Sequence, residues 1–387
     1  MSEKLIIRNF GPITNVDLDL RKVNVLIGDQ GTGKSTVAKV LSIIKGASQL
    51  LLGKMIHKIN GVELNENEIT AVKNERFSTK FFDLLKQYDL INYISTMTYI
   101  FFENDNFICK IENSKTYFSL KKINESEEVI KDTSLNYFIP AFRESYTLLR
   151  NSYPAILMAN AKLPQLLNQF GQQFNNYRKE LKYFDLKNII GVDYRYIDNS
   201  DLIVLESGAI ITFEESSSAV NSVVPMLVVF LGVVNNMSQD TYRIYYNHNC
   251  PFVTIEEPEL NCYPTTQKKL VEFLIEKIKF KNKVKQIDDY YCNLLLTTHS
   301  PYILTSLNNL MYAYNVGKEH FEETDKVIPS KNWLNPNDVS VYKLTGGNSE
   351  NIMDEELKQI KVEEIDEISE ILSKQWHEMA ELNLVKQ

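Results

Sequence analysis

The sequence predicts an α/β fold with a phosphate-binding loop at the end of a buried strand. Three stretches carry the prediction. Gly28-Asp29-Gln30-Gly31-Thr32-Gly33-Lys34-Ser35 fits the pattern G-x-x-x-x-G-K-[ST], after the apolar run Val23–Ile27 and before the helix-like run Thr36–Leu41. Phe252-Val253-Thr254-Ile255 is a continuous apolar run that leads into Glu256-Glu257-Pro258-Glu259. Asn293 to Thr298 is a second such run and leads into His299. Continuous apolar strands belong to a sheet covered on both faces.

The glycine loop is the P-loop pattern in its strand–loop–helix context. Its glycines permit a tight turn whose N–H groups point at phosphate oxygens, and the helix N-terminus adds its dipole. Lys34 is then expected to reach the β- and γ-phosphates, and Ser35 to hold Mg²⁺. Gly28, Asp29, Gln30, Gly31, Thr32, Gly33, Lys34, Ser35 and Thr36 form the candidate nucleotide-binding segment, with ATP and Mg²⁺ as the expected cofactors. Two acids at the end of a buried strand are costly unless a cation meets them. A magnesium–phosphate cluster is such a partner. Glu256 is expected on the metal, and Glu257 as the general base that orients the attacking water. His299, at the end of the other apolar strand, is positioned to hydrogen-bond the γ-phosphate or that water.

The remaining elements follow from pattern. Leu5–Phe10 reads as a strand, Gly11-Pro12 as a turn, and Asn15–Leu20 alternates with period two, so two edge-type strands precede the P-loop strand. Residues 107–112 and 116–120 read as a hairpin, 136–140 as a short strand, 147–181 as helical, and 202–205 with 209–213 as a second hairpin. Ser216–Val234 reads as a helix with a serine-rich start. The tail, 351–387, reads as acidic and helical, with an apolar stripe of Val362, Ile365, Ile368, Leu372 and Trp376. The expected organisation is a core of 1–60 and 200–350 with β-hairpins from 95–145, a helical insert at 147–190, and the tail at 351–387.

Composition limits the partners. The 387 residues are 44% hydrophobic and 24% charged, as in soluble globular chains, with a formal net charge of -8. A global basic field for nucleic acid or anionic membrane is therefore absent. The lysines at 268, 269, 277, 279, 281, 283 and 285 read as a solvated helix face. The longest apolar run, Val223–Val234, is too short to span a bilayer and is interrupted by Pro225, so it reads as a buried helix with no membrane role. The N-terminus has no signal-peptide pattern. Scattered cysteines suit a reducing cytoplasm, and scattered histidines leave Mg²⁺ as the only metal expected.

The order P-loop, serine helix, Glu-Glu, His resembles the ABC-type ATPases of the SMC, RecF and OLD group. Leu5–Ser35, Phe252–Pro264 and Leu296–Leu304 are similar to the OLD-like branch in particular. The resemblance implies a P-loop NTPase of ABC-type head architecture, with a mixed β-sheet core and a helical insert. It also implies that Glu257 is catalytic and that His299 is the switch histidine. Such ATPases carry a signature whose helix N-terminus contacts the γ-phosphate bound to the opposite subunit. The counterpart here is Ser216, Ser217 and Ser218, where Ser218 stands in place of the usual glycine and no glutamine follows. Ile139–Arg143 is similar to a PA-x-R segment of the group, in which Arg143 faces either nucleotide or a neighbouring subunit. No sustained heptad lies between Lys34 and Glu257, which excludes a full SMC. OLD nucleases continue after the histidine strand into a Toprim domain, whereas here 88 residues follow His299 and end in an acidic tail, so a nuclease is not expected in this chain.

That combination resembles the stand-alone ATPase subunits of bacterial anti-phage defence systems, such as AriA of PARIS and PtuA of Septu. The resemblance implies a homo-oligomer of paired heads that holds or releases a separate effector, a nuclease or toxin, with DNA or a phage protein as trigger. A RecF-like ATPase that clamps duplex DNA, a transporter's nucleotide-binding subunit and a nucleotide-dependent scaffold with little turnover are the alternatives.

Overall fold

The computed structural model describes residues 3–52, 58–59, 62–63, 66–121, 135–149, 152, 163–238, 250–281, 288–361 and 373–377. One mixed sheet of 11 strands is the frame. In chain order its strands are β1 (Glu3–Phe10), β2 (Ile13–Leu20), β3 (Val23–Ile27), β4 (Tyr99–Glu103), β5 (Phe107–Glu112), β6 (Lys115–Leu120) and β7 (Asn136–Ile139). They continue with β8 (Phe252–Glu256), β9 (Asn293–Thr298), β10 (Val339–Thr345) and β11 (Asn348–Asn351). In space they run β6-β5-β4-β1-β2-β11-β10-β3-β9-β8-β7.

The sheet has two halves. β10, β3, β9, β8 and β7 are mutually parallel. Every residue of β3 and β8 is buried, because each face meets its own helical layer. Val23, Val25, Val253, Ile255, Leu294 and Leu296 belong to one core; Leu26, Phe252 and Leu295 belong to the other. The first core holds α4 (Ser218–Ser238), α5 (Pro264–Ile278) and α6 (Pro301–Val316). The second holds α1 (Lys34–Leu52) and α2 (Glu66–Gln87). Asn24, fully buried in β3, spans its neighbours: Nδ2 donates to the Leu294 carbonyl at 3.1 Å, and Oδ1 accepts from Ser340 Oγ at 2.7 Å.

The other half is antiparallel, from β2 through β1, β4 and β5 to β6. Its strands alternate, with Val16, Leu18 and Leu20 of β2 and Ile100 and Phe102 of β4 buried. The two N-terminal strands are therefore interior, not edges: β4 pairs with β1 on one side, and β11 meets β2 on the other. Pattern alone cannot distinguish a half-buried interior strand from an edge.

α3 (Gln165–Leu181) packs on α4 where Gly232 leaves room for Tyr177; a Cβ at Gly232 would lie 2.1 Å from that ring. The predicted helical stretch starts earlier, with the short helix Arg143–Leu149, and ends in a four-stranded sheet, 183–185, 192–197, 200–205 and 210–212. α4 starts at Ser218, two residues later than read. At 21 residues it is also long and apolar enough to cross a membrane, but 83% of its apolar window is buried inside this chain. Asn221 stitches its first turn, Nδ2 donating to the Phe213 carbonyl at 3.1 Å.

The tail departs from expectation. Its first residues are strand, not helix: Met353–Asp354 pairs with Gln359–Ile360, and the Ile360 N–H donates to Asn308 Oδ1 on α6 at 2.9 Å. A local turn at Asp354, whose Oδ1 accepts from Glu356 and Leu357 N–H groups, wins over the acidic helical composition. Val362, Ile365, Ile368 and Leu372 lie outside the described residues. Trp376 sits on a short helix and is exposed.

Candidate functional site

Register builds the site. Glu256 pairs with Thr297, Thr297 with Leu26, and Thr298 with Ile27. The C-terminal ends of β8, β9 and β3 therefore lie side by side, and the next residues in each chain direction are Glu257, His299 and Gly28. Ligand crevices in parallel α/β sheets form at this end of the strands.

Gly28 leaves β3 at φ +151°, and a Cβ there would lie 2.2 Å from the Leu344 carbonyl of β10. Only glycine fits. Gly33 has φ +101° and accepts from the Val37 N–H at 2.9 Å, so α1 begins directly from the loop. Thr32 Oγ1 closes the turn onto the Asp29 carbonyl at 2.8 Å. Gln30, Gly31, Thr32, Gly33, Lys34, Ser35 and Thr36 line a cleft of about 570 Å³ with Glu257 and His299, and Pro12 and Tyr93 complete it. Gly28 and Asp29 take part through their carbonyls, which accept from Lys34 Nζ at 2.7 and 2.8 Å.

Lys34 is 5% exposed and also lies 3.4 Å from His299 Nδ1. Burial lowers its pKa, against the pull of Glu257, Asp29 and Glu259. His299 Nε2 in turn lies 3.5 Å from Glu257 Oε1. Lysine, histidine and glutamate thus form one chain across the cleft.

Glu256 lies behind this chain, 2% exposed. Its Oε2 accepts the Ala141 N–H at 3.1 Å, and the Ser35 hydroxyl lies near enough to favour the charged carboxylate. Its Oε1 is buried without a partner among the described residues. Burial raises its pKa, opposed by Ser35, Lys39 and the Ala141 N–H. A buried carboxylate oxygen left open beside a serine hydroxyl that faces the cleft is a fitting donor pair for a hard cation.

Glu257 stands at φ +45°, a conformation that non-glycine residues seldom adopt. Arg143 holds it there. The Arg143 side chain is fully buried; it donates to the carbonyls of Glu256 at 2.7 Å, Glu257 at 2.8 Å, Pro140 at 3.1 Å and Ser222 at 3.0 Å. Burial lowers its pKa to about 10, so it stays charged at neutral pH. Arg143 therefore faces neither the cleft nor a surface. It braces the two glutamates and α4 from beneath, adding its donors to carbonyls of which Pro140 also accepts the Arg143 N–H and Glu257 the Leu260 N–H.

Sequence reading missed Glu259, Tyr93 and Pro12. Glu259 Oε1 accepts from Thr298 Oγ1 at 2.6 Å and from the His299 N–H at 2.9 Å, which ties the histidine to the acidic loop. Its place in the same acidic run was the available signal. Tyr93 carries no motif. Ser216, Ser217 and Ser218 do not line the cleft. Ser216 Oγ donates to the Phe213 carbonyl, Ser217 Oγ caps Val220, and Ser217 and Ser218 are exposed. Among the described residues, no cluster of histidine, cysteine and carboxylate side chains offers another metal site.

Among solved structures, the chain is similar to the SMC head domain from Thermotoga maritima, at 11% identity over 92% of this chain and 99% of that one, with a TM-score of 0.39. It is similar to the recombination mediator protein RecF in the RecFOR pathway, at 10% identity over 91% and 98%, with a TM-score of 0.39. It is also similar to the Smc head domain bound to the C-terminal domain of ScpA derived from Pyrococcus furiosus, at 10% identity over 91% and 95%, with a TM-score of 0.37. A comparison with curated proteins gives no match. The AAA ATPase domain model matches residues 1–249, which include the glycine loop and end before Glu256 and His299. With more than half of its length matched, the chain belongs to the AAA ATPase domain family.

Proposed function

We propose that this chain binds ATP with Mg²⁺ in the cleft and hydrolyses it to ADP and phosphate. The observation that carries the reading is the convergence of Lys34, Glu257 and His299 on one cleft, with the open oxygen of Glu256 behind it. Ser35 and Glu256 would hold Mg²⁺, which on binding supplies charge neutralisation for the phosphates. The glycine-loop N–H groups and Lys34 bind the phosphate chain. Lys34 now rests on its own loop's carbonyls, so phosphate oxygens replace those partners on binding. Glu257 accepts the proton of the attacking water, and His299 orients the γ-phosphate or that water. The test is a steady-state ATPase assay. Wild type should turn over ATP and Lys34→Ala should not; equal rates in the two would overturn the reading.

The finer reading is a sensor and scaffold subunit of a bacterial anti-phage defence system, assembled through paired heads, that holds or releases a separate nuclease or toxin. Its support is the likeness of the Glu-Glu-Pro-Glu and Thr-His-Ser-Pro stretches to the OLD-like branch, combined with the lack of a sustained heptad between Lys34 and Glu257. The exposed Ser217 and Ser218, outside their own cleft, are open to a second copy. Phage challenge of cells carrying the gene with its neighbours tests it: protection should vanish with Lys34→Ala. Unchanged protection would remove this reading while leaving the ATPase.

One observation favours the DNA-clamping alternative. A second cleft, of about 640 Å³, brings Lys179, Lys182 and Arg195 together with Tyr183 and Tyr196. Salt-dependent duplex binding that falls in a Lys179→Glu, Lys182→Glu double variant would support it.

A further inference from the structure

The nucleotide cleft is lined by two chemically different sets of side chains. Lys34, Glu257 and His299 are ionisable; Pro12 and Tyr93 present ring surface beside the glycine loop. Tyr93 ends the single turn Ile91–Tyr93, in a segment that shares no motif with the loop. That segment is lashed to the β1–β2 hairpin. Thr98 Oγ1 donates to the Asn9 carbonyl at 2.9 Å, and Asn9 Nδ2 donates to the Met97 carbonyl at 3.2 Å. Phe10 meets the Tyr93 ring edge-on, at 5.6 Å between centroids and 82° between planes. Gly11 makes room for it: φ is +55°, and a Cβ would lie 2.3 Å from the ring. The ring is nevertheless 36% exposed. An aromatic side chain fixed on one side and left open on the other gains little for folding.

We infer that Tyr93 is the stacking platform for the purine base of the nucleotide whose phosphates the glycine loop holds. The inference rests on the nucleotide-binding reading above and adds the residue that recognises the base. A ring face reads the π-surface of a base and not its edges, so adenine and guanine gain alike. Inorganic tripolyphosphate, with no base, gains nothing from it.

The full-length chain is titrated calorimetrically with Mg-ATP, Mg-GTP and magnesium tripolyphosphate. Tyr93→Ala should weaken ATP and GTP by about tenfold or more and leave tripolyphosphate within about twofold. Tyr93→Phe and Tyr93→Trp, which keep a ring, should bind ATP like wild type. Two results overturn the platform: Tyr93→Ala binding ATP as tightly as wild type, or losing ATP and tripolyphosphate equally, as a residue that only shapes the loop would. In either case, loss of ATP in Lys34→Ala keeps the parent reading standing. A wild-type chain that binds neither ATP nor tripolyphosphate overturns both.

Discussion

The two halves of the large sheet treat buried charge in opposite ways. Against the antiparallel half, Lys45 of α1 is buried, yet its Nζ meets both oxygens of Glu3, at 2.8 and 2.7 Å, and lies over the ring of Phe102 and, across in the parallel half, that of Phe252. In the parallel half, the hydrogen-bond partners of Lys34 among the described residues are two backbone carbonyls and a histidine, while Glu256 and Glu259 each keep a buried oxygen without a partner among those residues. Among the described residues of β1, β2, β4 and β5, no buried side-chain polar atom is left open. One half is electrostatically closed and belongs to the fold. The other leaves several polar atoms open, Thr254, Asn136 and Asn293 among them, and those beside the cleft are carboxylate oxygens, as a site that awaits a cation requires.

The two buried lysines break or sharpen that contrast most directly. Lys34→Ala is expected to lower ATP affinity by about a hundredfold or more while the thermal midpoint stays at or above wild type. A fall in midpoint to match would make Lys34 a structural lysine. Glu257→Gln should keep ATP binding and lose about 10²–10⁴ in turnover, trapping bound ATP. Turnover like wild type would remove Glu257 as the base. Glu3→Gln, in the closed half, should do the reverse. It leaves the Lys45 charge buried without its carboxylate, costing about 3 kcal/mol in denaturant unfolding, with turnover per folded molecule unchanged. If Glu3→Gln instead slows turnover at full stability, the halves are not separable.

Much of this contrast is legible in the chain. The continuous apolar runs of β3, β8 and β9 announce a doubly covered sheet, and the residues just past each run are the ones that meet at the cleft. A strand's end marks where chemistry collects, because backbone and side chains there leave the sheet's hydrogen bonding. The braces under those residues are not legible. Arg143 in Ile139–Arg143 reads as facing nucleotide or a neighbouring subunit, and only the fold reveals the four backbone carbonyls that its buried side chain meets. Tyr93 is silent for a similar reason: its place depends on a missing Cβ at Gly11, far from it in sequence. Tail composition misled over its first described residues, since acidic residues with spaced apolar ones suit a turn and short strands as well as a helix; residues 373–377 are helical.

The smallest effect tests the incompleteness itself. Burial raises the Glu256 pKa above the ordinary carboxylate value of 4.5. The folded state then holds the proton more tightly than the unfolded state, so the Glu256 contribution to stability is greatest below that ordinary value. It declines as pH rises through the raised pKa and stays lowered at neutrality. Glu256→Gln keeps an oxygen for the Ala141 N–H and removes the charge. Without metal or nucleotide, it should melt about 2 °C above wild type at pH 7 and together with wild type near pH 4. Mg²⁺ with ATP should then raise the wild-type midpoint more than that of the variant, because only the carboxylate gains a cation. If Glu256→Gln melts below wild type at pH 7, the carboxylate is already satisfied within the protein, and the parallel half is as closed as the antiparallel one.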